Sequence, residues 1–138
     1  MIHKFIEFVP TELENDVLYI SIDYCTAIHK CCCGCGKEVV TPISPTGWKI
    51  TFDGESISLY PSIGNWSFPC QSHYWIKNDK IVWATKWSQD EINVGRQLEK
   101  SEKMKYFENK KAALHIKNKK ELNLWSRIKI WLSGFSKR

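Results

Sequence analysis

The sequence predicts a mostly β (α+β) protein: a small antiparallel β domain carrying a C-terminal helical extension. Three observations point there. Short runs rich in β-branched and aromatic residues recur up to about residue 86, separated by clusters of turn formers. Four of the six cysteines fall within Cys31–Cys35, interleaved with glycine. From Trp87 onward the composition shifts to Lys/Glu-rich sequence with apolar residues at helical spacing.

The elements follow in order. His3–Val9 alternates well enough for a strand, and Val17–Asp23 reads as a second, with the polar turn Pro10–Asp16 between them. The second strand runs into Cys25–His29 and then the cysteine cluster. Lys37–Ile43 is a further strand, ended by the region of Pro42 and Pro45. Trp48–Phe52 and Ser56–Tyr60 flank Asp53-Gly54, a pair that tolerates positive φ and so marks a hairpin. A second hairpin fits Tyr74–Lys77 and Lys80–Ala84, turning at Asn78-Asp79. The stretch Pro61–Gln71 between the hairpins is rich in turn formers and reads as a loop. Ser88 with Glu91 three residues on forms a capping box. A helix follows from about Asp90 to Ile116, then a basic break at Lys117–Lys120. Leu122, Trp125, Ile128, Trp131, Leu132 and Phe135 then recur at helical spacing. The expected division is therefore a β domain over 1–86 and a basic helical extension over 87–138.

Composition narrows the function classes. With 43% hydrophobic residues and seven Trp among 138 residues, the chain can bury a core. A domain this small gains from a metal staple. The start Met1–Pro10 has no apolar run of signal length, and no segment reaches the roughly 20 apolar residues that cross a bilayer. The expected location is cytoplasmic, with no membrane span. In that compartment, close-set cysteines read as metal ligands before disulfides. Charge is uneven: residues 1–86 hold 7 Lys/Arg against 9 Asp/Glu, and residues 87–138 hold 13 against 6. That basic extension suits an acidic partner, although a solvated lysine-rich helix is the plainer reading.

In His29-Lys-Cys31-Cys32-Cys33-Gly34-Cys35-Gly36, the alternate cysteines share a face of an extended chain but lie too far apart for one ion. Gly34 and Gly36 allow the chain to curl into a knuckle that gathers the three sulfurs. A closed structural zinc site needs four ligands. Cys70, in Pro69-Cys-Gln-Ser-His73, is the natural fourth, giving Cys31, Cys33, Cys35 and Cys70 as the expected ligands. The alternative set is Cys33, Cys35, Cys70 and His73, and a further option uses His29. Cys32 should point away from its neighbours, and Cys25 reads as a small buried hydrophobe. A hydrolytic zinc keeps an open position and shows His or carboxylate ligands, and no HExxH-like pair is present, so the expected zinc is structural.

Ser62, Ser72, His29 and His73 flank the metal segments. Nucleophilic catalysis requires a hydroxyl within about 3 Å of a base. Adjacent residues on an extended chain face opposite sides, so Ser72 and His73 cannot easily pair. Ser72 with His29 is one coherent dyad, and Ser62 with His73 is the other. On residue types alone, serines that cap turns and histidines that ligate or support a metal are preferred.

The runs His29–Gly36 (HKCCCGCG), Trp48–Gly54 (WKITFDG), Ser58–Trp66 (SLYPSIGNW) and Pro69–Ile76 (PCQSHYWI) resemble, in order, those of a small bacterial Cys-rich family. Its members are encoded beside ubiquitin-like proteins and E1-like and E2-like (activating and conjugating) enzymes. The resemblance covers residues 1–86. It implies a processing protease or deubiquitinase-like hydrolase that uses serine chemistry, with a bacterial ubiquitin-like protein as substrate or partner. Carried over by motif, the candidate catalytic residues are Ser72, His73 and His29, with Ser62 behind them. No acid partner is evident, since Asp53 sits in a turn and Glu38 just follows the knuckle.

Two other classes compete. One is a non-catalytic zinc-binding adaptor in the same pathway, using the stripe Leu122–Phe135 as an interaction face. The other is nucleic-acid binding through Trp66, Trp75 and the basic extension. The latter is disfavoured because the basic charge lies apart from the zinc module.

Overall fold

Eight short strands and one long helix make up the chain. The computed structural model describes the backbone of residues 1–135 and the side chains of residues 1–121. The strands are β1 (Ile2–Phe5), β2 (Val17–Ser21), β3 (Thr26–Lys30), β4 (Glu38–Pro42), β5 (Lys49–Phe52), β6 (Ile57–Gly64), β7 (His73–Lys77) and β8 (Lys80–Trp83), and α1 is Gln89–Phe135. They form two four-stranded sheets, ordered β1-β2-β3-β4 and β5-β6-β7-β8. Every pairing between named strands is antiparallel except β1 with β2.

The two sheets pack face to face. Leu18, Ile20, Ala27 and Val39 of the first sheet share one buried cluster with Ile57, Leu59, Ile63, Tyr74 and Ile76 of the second. Each such aliphatic side chain contributes about 1.5–3 kcal/mol on full burial. The alternation of β4 and β6, which turn Val39, Thr41, Ile57 and Leu59 inward, is the period-2 signature read in the sequence. β2 is buried along its whole length. Its second face carries Val17 and Tyr19, which pack with Leu13 and Ile28.

The turns obey their residues. Asn78 and Asp79 both adopt positive φ (47° and 58°), the pattern of a tight two-residue hairpin. Asp53 caps its own turn, accepting from the N–H groups of Glu55 (3.0 Å) and Ser56 (2.7 Å).

Four expectations change. Pro61–Gly64, read as loop, continues β6, because a proline is tolerated on a strand flank that has no partner needing its N–H. The His3–Val9 strand stops at Phe5. Lys117–Lys120 does not interrupt the helix, since lysine is a good helix former and the charges face water. Cys25 is exposed, not buried, at a positive-φ position (47°) that leaves strand geometry.

The chain divides into two units, Met1–Val94 and Gly95–Arg138. The first turn of α1 and the segment leading into it thus group with the sheets. The capping box is formed: Ser88 Oγ donates to the Glu91 carboxylate at 2.8 Å. The stripe Leu122–Phe135 lies outside the described side chains. Among the described residues, no helix is long and apolar enough to cross a membrane.

Candidate active site and metal centre

The cysteines gather first. The knuckle Cys31–Lys37 is the turn between β3 and β4. It closes on itself through Cys31 N–H to the Lys37 carbonyl (2.7 Å) and Gly34 N–H to the Cys31 carbonyl (3.0 Å). Gly34 and Gly36 take φ of +84° and +75°, so conformation rather than crowding demands glycine there. Cys70 arrives from the β6–β7 turn of the other sheet.

The sulfurs of Cys31, Cys33, Cys35 and Cys70 all lie within 4.8 Å of one another. Cys31 is 3.4 Å from Cys33 and 3.9 Å from Cys70, and Cys35 is 3.8 Å from Cys70. A tetrahedron with metal–sulfur bonds of about 2.3 Å has edges of about 3.8 Å, so the four can hold a metal ion. Desolvation of the sulfur within the cluster pushes the Cys33 thiol up to about 12, although the residue as a whole is exposed. At Cys70 burial also acts upward, but hydrogen bonds from Ser72 and from the Cys33 and Cys35 thiols outweigh it and hold the group at about 6. One thiolate is thus favoured while its neighbour is opposed, which is the conflict a bound cation removes. Cys32 is half-buried, and burial raises its thiol to about 11.

Ser72 belongs to this centre. Its hydroxyl lies 3.1 Å from the Cys31 sulfur and accepts from Asn65 Nδ2 at 2.9 Å. Asn65 also reaches the Tyr74 hydroxyl (3.4 Å), which is 2.9 Å from His29 Nε2. The Ser72–His29 dyad expected from the sequence is therefore not formed: each side chain has other partners, and Tyr74 and Asn65 stand in the network that joins them. His29 is fully buried, and desolvation lowers its pKa to about 4, too low for an effective base at neutral pH. Neither histidine joins the cysteines, so the sets containing His29 or His73 are not assembled.

The other serine–histidine pair is assembled. Ser62 Oγ lies 2.9 Å from His73 Nε2. His73 Nδ1 is 3.0 Å from the Thr85 carbonyl oxygen. A carbonyl can only accept, so Nδ1 carries the proton and Nε2 is left to accept from the Ser62 hydroxyl. Sheet geometry produces the contact. Gly64 stands directly opposite His73, and Ser62, two residues back, shares its face and reaches across the diagonal.

Three indoles surround this imidazole. Trp66 approaches edge-on with centroids 4.9 Å apart, Trp87 at 5.1 Å and Trp75 at 5.7 Å. Trp66 and Trp87 stack on each other at 5.3 Å. His73 is only 6% exposed, whereas Ser62 remains partly open.

The model of one protein family, described as "Bacterial ubiquitination-like system serine protease (BubE)", matches residues 5–84. The chain belongs to this family. The BubE match spans both the knuckle and the Ser62–His73 pair, and it identifies the chain as a serine-type protease of a ubiquitination-like system. No curated protein and no solved structure matches it.

Sequence reasoning missed the Thr85 carbonyl, which has no side-chain signal, and Trp87, which lies just past the BubE match. It also missed the supporting roles of Asn65 and Tyr74. Their signal was present in spacing: Asn65 follows the buried Ile63 by two residues, and Tyr74 precedes the buried Ile76 by two.

Proposed function

We propose that the chain is a zinc-stabilised serine peptidase that processes or releases a bacterial ubiquitin-like protein, with Ser62 as nucleophile and His73 as general base. The observation that carries this reading is the relay from Ser62 Oγ through the His73 imidazole to the Thr85 carbonyl, with 2.9 and 3.0 Å links. The carbonyl does the orienting work that a carboxylate does in a triad, without adding a charge. Ser62 Oγ attacks the scissile carbonyl as His73 Nε2 takes its proton, and the same imidazole later returns a proton to the leaving amine. The indoles exclude water from the ring face and so strengthen these hydrogen bonds. The backbone N–H of Ser62, on the nucleophile itself, is the donor nearest the developing oxyanion.

Zinc suits four thiolates at these spacings, and with all four positions filled it supplies structure rather than chemistry. It ties the β3–β4 turn to the β6–β7 turn, and hence fixes the two strands that carry the dyad. Ser72 donates to the Cys31 sulfur and supports that site, as outer partners of metal ligands do. Ser72 and His29 are thereby read as supporting groups and His73 alone as catalytic among the three.

The test is the intact mass of a ubiquitin-like precursor incubated with the protein. A mass loss ending the product at a glycine supports the peptidase. An unchanged precursor beside folded, zinc-loaded protein moves the reading to a non-catalytic adaptor.

A further inference from the structure

β6 has a free edge that begins at the nucleophile. β5 pairs with it only from Ile57 to Tyr60, while β7 continues alongside to Gly64. Among the described residues, no named strand pairs with the β5 side from Pro61 to Gly64, and no backbone hydrogen bond reaches Gly64 there. The direction of the free groups follows from the ladder. Asn65 N–H donates to the Ser72 carbonyl across β7 at 2.9 Å, so Ile63 and Asn65 turn their polar groups toward β7. Gly64, between them, turns its groups the other way, to the uncovered side. Unpaired strand groups of this kind template an additional strand.

The face of this edge is narrow at one place. A Cβ built on Gly64 would fall 2.4–2.7 Å from the Trp66 indole. Trp66 therefore lies over Gly64 on the face that also carries Ser62 and His73. The same indole meets the His73 ring at 4.9 Å, so it fixes residue 64 itself as glycine beside the dyad.

We propose that the polypeptide substrate binds as an extra β-strand on the free edge of β6, its main chain hydrogen-bonded to the N–H and C=O of Gly64. This rests on the reading of Ser62 as nucleophile. Recognition is then chiefly of main chain. The edge leads directly to the Ser62 hydroxyl, so pairing there delivers an extended chain to the reacting atoms.

The experiment uses the full-length protein and a ubiquitin-like protein whose tail is installed by ligation and ends in a fluorogenic amide. Single amide N-methyl groups are placed one residue at a time along the tail. An added strand points every second N–H at β6, so N-methylation should slow cleavage roughly tenfold or more at alternate residues and little at those between. Efficient cleavage with no alternation overturns the added strand while leaving the peptidase standing. No cleavage of the unmethylated tail overturns both. A dimer of the free protein that loses its contact on blocking β6 would also overturn the proposal, since a second copy would then occupy the edge. The N-methyl series needs no altered protein, so misfolding of a variant cannot decide the outcome.

Discussion

Ser72 and His73, consecutive in the chain, stand on opposite faces of the second sheet. The Ser72 hydroxyl meets the Cys31 sulfur at 3.1 Å on the inner face, and the His73 ring meets the Ser62 hydroxyl at 2.9 Å on the outer face. One turn of sequence thus reaches both the cysteine cluster and the Ser62–His73 pair, because successive extended residues alternate sides.

The two serines should separate cleanly on mutation. Ser62→Ala is expected to reduce cleavage to background while leaving metal content and melting temperature unchanged. Ser72→Ala should retain the dyad, lose about 1 kcal/mol of stability, and bind the metal roughly 10–100-fold more weakly. Cleavage assays beside metal analysis of both variants check this. Loss of activity in a metal-loaded Ser72→Ala protein would return the nucleophile to Ser72.

The histidines should separate as well. His73→Gln is expected to abolish cleavage in a folded protein. His29→Gln should keep catalysis and instead disturb the buried contact to Tyr74, costing about 1–3 kcal/mol in denaturant unfolding.

Metal removal should act on the fold first and on activity through it. Chelation, or Cys70→Ser, is expected to lower the melting temperature by roughly 10 °C or more, because binding energy at such a site is folding energy. Binding displaces thiol protons, so affinity should fall as pH falls, and one zinc per chain should be released on acidification. A protein that keeps its melting temperature in chelator would contradict the staple.

Trp87 supplies a test of the boundary. A chain ending at Val94 retains the Thr85 carbonyl and the Trp66–Trp87 stack. It is expected to keep its reactivity toward a small serine-directed probe. A chain ending at Lys86 lacks the indole over His73 and should lose most of it, as read by the labelling rate.

Much of this arrangement could be read in the residues. Asp53-Gly54 and Asn78-Asp79 announced both hairpins because their φ preferences are local. Glycines among cysteines announced the knuckle for the same reason, and Cys70 followed from the need for a fourth ligand. The pairing of Ser62 with His73 stood as one of two dyads; residue types could not choose between them, and the family resemblance ranked Ser72 ahead of Ser62. The choice depends on which side chains the sheets bring together. An unshifted ladder would set Ser62 directly opposite His73; the shift between Leu59 and Ile63, where four steps along β6 oppose two along β7, moves Ser62 to the diagonal, still within reach of the imidazole. Pro61 and the turn formers around it concealed the strand altogether. The Thr85 carbonyl left no mark on composition, since any residue at position 85 offers the same oxygen.

The most direct measurement of the central claim is labelling with a fluorophosphonate, followed by mass spectrometry of the proteolysed protein. The account predicts one adduct, on Ser62, lost in His73→Gln and retained in His29→Gln. An adduct on Ser72, or none on folded, metal-loaded protein, would contradict it.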